Sequence, residues 1–423
     1  MKEYLKKLPE EILNPINCAC AVASKNNMQA YLVGGFVRDL LLGVENLDLD
    51  IVVEGDGLRF AEDYASALKA RLIRHRRFVT ATVILEDNLK IDIATARKEV
   101  YPHPASLPVV TRSNLKDDLA RRDFSINAMA VSIMGDNFGK LVDFFGGKND
   151  LADKKIRILH DLSFIDDPTR ILRAVRFEKR YDFRIEPETL KRLKAAVKLG
   201  MLEKVQPQRL RDELILILKD KEPLKEIKRI QQLSGFGFIN PRLSISKKNL
   251  ELLSSIEKEV GWFKKVYPER RRLDTWLIYL MGLIDSLDAK KVKNICANFV
   301  FKRGEESRLL SYRKLLSKLT QGLGRSSVEP TRIFHLLEPL PYEVILFAKA
   351  KYKNQNIQKH IMDFFEIYHG MKICVSGDDL RSLGFVPGPF YQKIFTIVLN
   401  AKLKGQVRTK DDELLLIKKL IKG

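Results

Sequence analysis

No run of about 18 consecutive apolar residues occurs in this chain, which argues against a membrane-spanning helix. The N-terminal stretch MKEYLKKLPEEIL has no apolar core of the kind a secretory signal needs, so the expected compartment is the cytoplasm. Cysteine is scarce. Cys18, Cys20, Cys296 and Cys374 form no Cys-x-x-Cys pair, which speaks against a zinc site or a disulfide framework and for free thiols in a reducing compartment. Internal repeats and low-complexity segments are also missing, so a solenoid or a disordered array is not expected. Acidic residues are in short supply, with 54 Asp and Glu against 75 Lys and Arg and a formal net charge of +21. Such an excess costs self-repulsion in the compact state, and an enzyme of small metabolites has no use for it; a polyanionic partner, nucleic acid rather than membrane, is the expected reason. What is present suffices for real cores: 423 residues of which 45% are apolar, room for roughly three domains.

The most informative stretch is Tyr31–Val53, YLVGGFVRDLLLGVENLDLDIVV. It reads as a short strand (Tyr31–Val33), a turn at Gly34 and Gly35 opening a helix (Phe36–Leu42), and a second strand carrying Asp48 and Asp50. Strand side chains repeat every second residue, so the two carboxylates share a face a few ångströms apart. Held that close they repel unless a cation lies between them, and hard oxygen ligands suit Mg²⁺. Backbone N–H groups at the helix start, with Arg38 one turn in, can hold phosphate oxygens. Either feature alone is weak: a double glycine usually only makes room for the chain, and an Asp-x-Asp is usually a solvated strand end. In this order, strand, GG, helix with Arg-Asp, then Asp-x-Asp, they resemble the nucleotidyltransferase fold of DNA polymerase β type.

Around this stretch, residues 1–30 read as a helix interrupted at Pro9 and Pro15, and Leu58–Leu68 as another helix. Arg71–Arg74, Thr80–Leu85 and Leu89–Ala94 alternate as strands. On the last, Asp92 lies between Ile91 and Ile93 and so faces away from both. If that strand neighbours the one with Asp48 and Asp50, Asp92 completes a three-carboxylate cluster; otherwise it is a solvated strand residue. Lys98–Asn114, with three prolines and little periodicity, is expected to be a loop. Leu115–Met129 (LKDDLARRDFSINAM) is part helix and part turn, with Arg121 and Arg122 beside Asp123. That pair is either surface decoration or a reach toward a triphosphate. Ala128–Ile133 and Leu141–Phe144 read as a hairpin, and Gly146–Gly147 as the end of the domain.

From Lys154 onward the pattern is helical. In Asp166–Phe183 (DDPTRILRAVRFEKRYDF) Pro168 is expected early in a helix, where its missing N–H has no partner anyway. Asp167, Arg170, Arg173 and Arg176 follow at steps of three, each turning the helix by about 300°, so Asp167, Arg170 and Arg173 can act together. An acid beside a five-donor guanidinium offers what a free base edge needs. In isolation the same spacing is a surface ion-pair ladder. Ile171, Leu172, Val175 and Phe177 supply the buried side.

Four motifs, YLVGGFVRDLLLG…LDLD, IDIATAR, DLARRDFSINAMA and DDPTRILRAVRF, occur in the order and spacing of class II tRNA nucleotidyltransferases. The chain resembles that CCA-adding family, which includes bacterial poly(A) polymerases, over about residues 25–215. The resemblance implies an α+β fold: an N-terminal polymerase-β-type nucleotidyltransferase head (1–155; mixed sheet plus helices), then an all-α neck (156–235), body (236–340) and tail (341–423). It implies that Asp48 and Asp50 hold the catalytic Mg²⁺ with Asp92 in the catalytic set. Gly34, Gly35, Arg38 and Arg121 or Arg122 would bind the triphosphate, while Asp167 and Arg170 read the base, supported by Arg173 and Arg176. It implies as partners the 3′ end and acceptor stem of tRNA, ATP, and CTP where the whole triplet is made. A poly(A) polymerase is the runner-up, and a basic RNA-binding protein without catalysis the alternative of another class. Asp166 departs from the family, which usually has Glu there. VQPQRLRDEL (Val205–Leu214) resembles the family's later neck-helix motif. Beyond it, Lys264–Lys265, Arg270–Arg272 and Lys290–Lys293 read as solvated basic faces. In SGDDLRSLGFVPGPF, Ser376 or Asp378 caps a helix that Gly384 ends, before a Phe390–Leu403 helix.

Overall fold

The alternation of apolar residues that marks the strands also decides how they assemble. The computed structural model describes the chain except residues 45–47, 76–78, 271–272 and 423, so Arg271 and Arg272 of the basic run lie outside the described residues. Strands β1 (Gln29–Val33), β2 (Leu49–Glu54), β3 (Arg71–His75), β4 (Thr80–Ile84) and β5 (Lys90–Thr95) come first. After β6 (Arg97–Val100) and β7 (Val109–Arg112) follow β8 (Ala130–Ser132) and β9 (Leu141–Val142). Seven of them form one mixed sheet in the order β3-β4-β5-β2-β1-β8-β9. Within it only the β2–β5 pairing is parallel, and it sets Asp50 directly opposite Asp92. The register is pinned by burial: Leu49, Ile51, Val53, Ile91 and Ile93 are buried, each worth about 1.5–3 kcal/mol, and a slip of one residue would put them in water.

Several expectations need correction. The first helix is not broken at Pro15: Glu10–Lys25 runs through it, while Pro9 caps its start and a separate turn covers Lys2–Leu5. The hydrogen bond lost at a mid-helix proline, with the ring clash, costs about 3 kcal/mol, which the buried stripe Ile12, Ile16, Ala19 and Ala23 offsets. Lys98–Asn114 is not a bare loop. Its ends are β6 and β7, a two-stranded antiparallel ribbon pairing Arg97 with Arg112 and Val100 with Val109. Strand structure also does not stop at Lys154, since β10 (Lys155–Ile156) pairs in parallel with β11 (Arg184–Ile185). Gly147 opens a further helix, Gly147–Ala152.

The chain folds as two compact units, Met1–Phe238 and Ile239–Gly423. The first contains the sheet and the helices Thr169–Arg180, Pro187–Lys198, Pro207–Lys219 and Pro223–Leu233. The second is helical, built around Thr275–Leu283, in which every residue from Trp276 to Leu283 is buried. Near its end Ser376, not Asp378, is the cap: its side chain accepts from the Asp379 N–H while Asp379 reaches back to Ser376. The helix Pro389–Leu403 follows. Among the described residues no helix is long and apolar enough to cross a membrane, and all four cysteines are free thiols.

Candidate active site

Gly34 and Gly35 join β1 to the helix Gly35–Leu42, and the first of them has no substitute. Its φ is +68°, and a Cβ there would stand 2.6 Å from Arg122 Nη1 and 3.7 Å from Asp50 Oδ2. The turn is thus tight because a guanidinium and a carboxylate press on it. One turn into the helix, Arg38 is buried and fixed on three sides. Its Nε and Nη2 donate to Asp39 (2.8 and 2.9 Å), and its Nη1 donates to Asn127 Oδ1 (2.6 Å). Its guanidinium lies over the rings of Phe177 and Tyr181, 5.2 and 4.7 Å from their centroids.

Asp50 is half-buried on β2, while Asp48, just ahead of the strand, and Asp92 on β5 are exposed. Thr82 on β4 donates its hydroxyl to Asp92 Oδ1 (2.7 Å). Burial pushes the Asp50 carboxyl up; Arg122 pulls it back, but Asp92 and Asp48 add repulsion, and the balance rests at about 6. A cation between these oxygens would relieve that repulsion, so the donor set fits a hard divalent ion. Among the described residues, however, no three such side chains close around one ion position. The three-carboxylate cluster expected from the sequence is therefore an open arc, with Asp48 off the strand end and Asp92 turned to Thr82.

Arg121 and Arg122 are not surface decoration. Arg121 donates to the fully buried Asp118 (2.9 and 2.8 Å) and to Glu99 of β6 (3.0 Å), and Arg122 donates to the other Asp118 oxygen (3.0 Å). Burial alone would raise the Asp118 carboxyl, but the two arginines outweigh it and hold it below its usual range.

Asp167 is not on the helix. It precedes Pro168, whose ring disfavours helical backbone at the residue before it, and it is extended (φ −132°, ψ 91°); the helix is Thr169–Arg180. Its carboxylate accepts from the Thr169 N–H and hydroxyl (3.1 and 2.6 Å) and pairs with Arg209 (2.8 Å). Arg170 is buried, donating to Ser163 Oγ (2.6 Å) and to the Arg121 carbonyl (2.7 Å). Arg173 donates twice to Asp123 (2.8 and 2.7 Å) and once to Glu213 (2.9 Å). Buried Asp123 would be raised by burial, but Arg173 and Asn127 bring it down to about 2. Arg176 turns away to Glu213 and lies over Phe177.

A cavity of about 360 Å³ collects Gly34, Gly35, Arg38, Asp50, Arg121, Arg122, Asp167, Arg170 and Arg173 on one wall system. Asp92 lines an adjoining cavity of about 350 Å³, with Asp50, Arg121 and Arg122 common to both. Asp48 and Arg176 line neither. Glu99, Tyr101, Asp123, Asn127 and Phe177 also line the first cavity, and the sequence singles out none of them as a site residue. A signal for Glu99 exists: Arg97 and Glu99 fall two apart, as residues on one face of a strand do. Volumes in this range suit a nucleotide, and the lining interleaves five guanidiniums (Arg38, Arg121, Arg122, Arg170, Arg173) with the carboxyl groups of Asp50, Glu99, Asp123 and Asp167.

Residues 30–157 match the family described as the Poly A polymerase head domain, and 182–245 the one described as a probable RNA and SrmB-binding site of polymerase A. The chain is 38% identical over 420 residues to an A-adding tRNA nucleotidyltransferase of Geobacter sulfurreducens, covering 98% of this chain and 48% of that one. It is 33% identical over 420 residues to the A-adding tRNA nucleotidyltransferase of Halalkalibacterium halodurans, covering 97% and 91%. Among solved structures it is similar to the Thermotoga maritima CCA-adding enzyme complexed with tRNA, with a TM-score of 0.73 and 34% identity over 99% of this chain and 98% of that one. A CCA-adding enzyme with ATP gives a TM-score of 0.74 at 33% identity, over 99% and 98%.

Proposed function

The chain belongs to the tRNA nucleotidyltransferase family, and from that premise we propose that it is a cytoplasmic Mg²⁺-dependent enzyme that adds the terminal A to tRNA 3′ ends, alone or as the last step of CCA synthesis from CTP and ATP. One observation carries this reading: a single cavity joins the glycine turn, the buried arginines and Asp50 to Asp167, Arg170 and Arg173. The groups proposed to hold phosphate and those proposed to read the base thus line one nucleotide-sized space. The A-adding names of two relatives that align over nearly the whole of this chain favour terminal-A addition.

In this reading Arg38, Arg121 and Arg122 hold the triphosphate, with backbone N–H groups at the Gly34–Gly35 turn. All three guanidiniums are fixed by carboxylates or an amide before any ligand arrives, so little side-chain entropy is lost on binding. Asp167 and Arg170 read the base edge, and Asp123 and Glu213 hold Arg173 behind them. Asp50 and Asp48 would hold Mg²⁺, and Asp92 stands close enough to Asp50 to add to the field. The open arc suits this ion, which usually takes one or two carboxylates and completes its shell with water and substrate phosphates. Bound there, Mg²⁺ would neutralise charge on the attacking and leaving oxygens. The chain's own contribution is positioning: it fixes the phosphates at one end and the base at the other.

The test supplies CTP and ATP separately to tRNAs ending at the discriminator base, at C and at CC. A incorporation on the CC-ending tRNA is expected. Its absence, with C incorporation intact, would make this a CC-adding enzyme instead.

A further inference from the structure

Another cavity, of about 490 Å³, shares no lining residue with the active-site cavity yet abuts its wall. Phe177 lines the active-site cavity and Tyr181 lines this one; their rings stack 6.1 Å apart, and Arg38 lies over both. Among the described residues the cavity is lined by five cations, Lys179, Arg180, Lys219, Lys221 and Lys225, against three acids, Asp220, Glu222 and Glu226, with Val44, Tyr181 and Leu216 as its apolar side. Arg180, Lys219 and Lys221 are exposed at it, and among the described residues no carboxylate pairs with Lys219 or Lys221, whereas Lys225 is taken by Glu222 (2.7 Å). Val44 and Leu216, which line it with Tyr181, stay 46% and 45% exposed. Glu226 closes the floor: it is 2% exposed, and its Oε2 has no hydrogen-bond partner. Asp220, on the same cavity, hydrogen-bonds the Glu226 carboxyl, and the oxygen left over is open to a donor from a ligand. Burial first and Asp220 second push that carboxyl up to about 9, so at neutral pH it is uncharged and does not repel an anion.

We propose that this cavity is a nucleotide-unit site separate from the reacting nucleotide's: Arg180, Lys219 and Lys221 take a phosphate, and Tyr181, Leu216 and Val44 take the base or ribose. Two sources present this chemistry, a phosphodiester of the RNA strand and a free nucleoside monophosphate. The first source rests on the function proposed above; the site itself does not. Cationic side chains supply sequence-independent phosphate attraction, while an aromatic ring accepts any base face, which is how single strands are held without sequence readout.

The test uses the full chain and the double variant Lys219→Ala/Lys221→Ala, both exposed positions whose change leaves the core intact. With a fluorescent CC-ending tRNA as probe, the variant's slope of log Kd against log salt should be shallower by about 1.4 units, two lost single-strand contacts. Its Kd should rise about tenfold, with the KM for ATP unchanged. In a second arm, AMP is titrated calorimetrically with the active-site cavity saturated by a non-hydrolysable ATP analogue. A second equivalent bound by the parent and lost in the variant assigns the cavity to free nucleotide. An unchanged salt slope together with no such equivalent overturns the proposal, and so does a raised KM for ATP with RNA binding intact. Both arms read binding, so loss of transfer activity alone would bear on the proposed function and not on this site.

Discussion

A carboxyl raised to about 6, by burial first and then by Asp92 and Asp48 against the pull of Arg122, makes Asp50, in its proposed metal role, a group that an ion must win from a proton. Its folded value is raised, so the proton is bound below about 6 and gone above it. Activity should therefore fall about tenfold per pH unit below 6, and raising Mg²⁺ should move that acid limb to lower pH, since ion and proton compete for the same oxygens. A limb that Mg²⁺ does not move would remove Asp50 from the metal site. Asp50→Asn should lower transfer by at least about a hundredfold with the melting temperature unchanged or raised, because the substitution removes repulsion rather than a core contact. At this scale the sequence is informative where chemistry is local. The Asp-x-Asp spacing and the glycine pair can be read directly. The collision of a Gly34 Cβ with Arg122 cannot, because the two are far apart in the chain and meet only through the fold.

Among the elements, the β6–β7 ribbon departs furthest from expectation, and it is anchored at both ends. Glu99 at its base holds Arg121, whose carbonyl accepts from Arg170. At its tip the Ala105 N–H donates to the Ile165 carbonyl (3.0 Å), two residues before Asp167. Prolines hide the ribbon because they fall in the tip between two short strands, where neither needs their N–H. Removing the tip, residues 102–108, and bridging with glycines should cut addition of A to a CC-ending tRNA by tenfold or more. Any C addition should survive, as comparison of the two incorporations would show; equal A addition would make the tip an ordinary connection. Asp167 belongs to the same scale. Its three-residue spacing from Arg170 suggests a shared helix, but the proline after it forces an extended residue. If Asp167 reads the base and Arg38, Arg121 and Arg122 hold the phosphates, as proposed, Asp167→Ala should degrade discrimination between ATP and CTP more than affinity for either. Uniform weakening toward all four nucleotides would show packing alone.

For the molecule as a whole, the sheet is legible where alternation and burial agree, at β4 and β5, and less so at β1, β2 and β8, whose burial is nearly continuous. The parallel β2–β5 pairing stays open, since no local signal selects which strand lies beside which. Burial of Glu226 is equally invisible: the single glutamate of a helix that also carries Lys225, Lys228 and Arg229 reads as solvated. It has a consequence for stability. Its carboxyl is raised from near 4.5 to about 9, so between those values the folded chain keeps a proton that the unfolded chain has lost. Stability is fully present below about 4.5 and declines as pH rises toward 9. Glu226→Gln should flatten that decline, with a melting temperature a few degrees above the parent at pH 8 and little different at pH 5; parallel curves would contradict the buried carboxyl. The hydrogen bond between Ala105 and Ile165 has a different consequence. An amide proton so placed trades with solvent deuterium only when the ribbon tip lifts, so its exchange rate is a stopwatch for that one event. If tip and base reader move together, deuterium uptake at Ala105 should slow severalfold when ATP is bound and differ with CTP. One amide would then report, without any product being formed, which nucleotide the chain is holding.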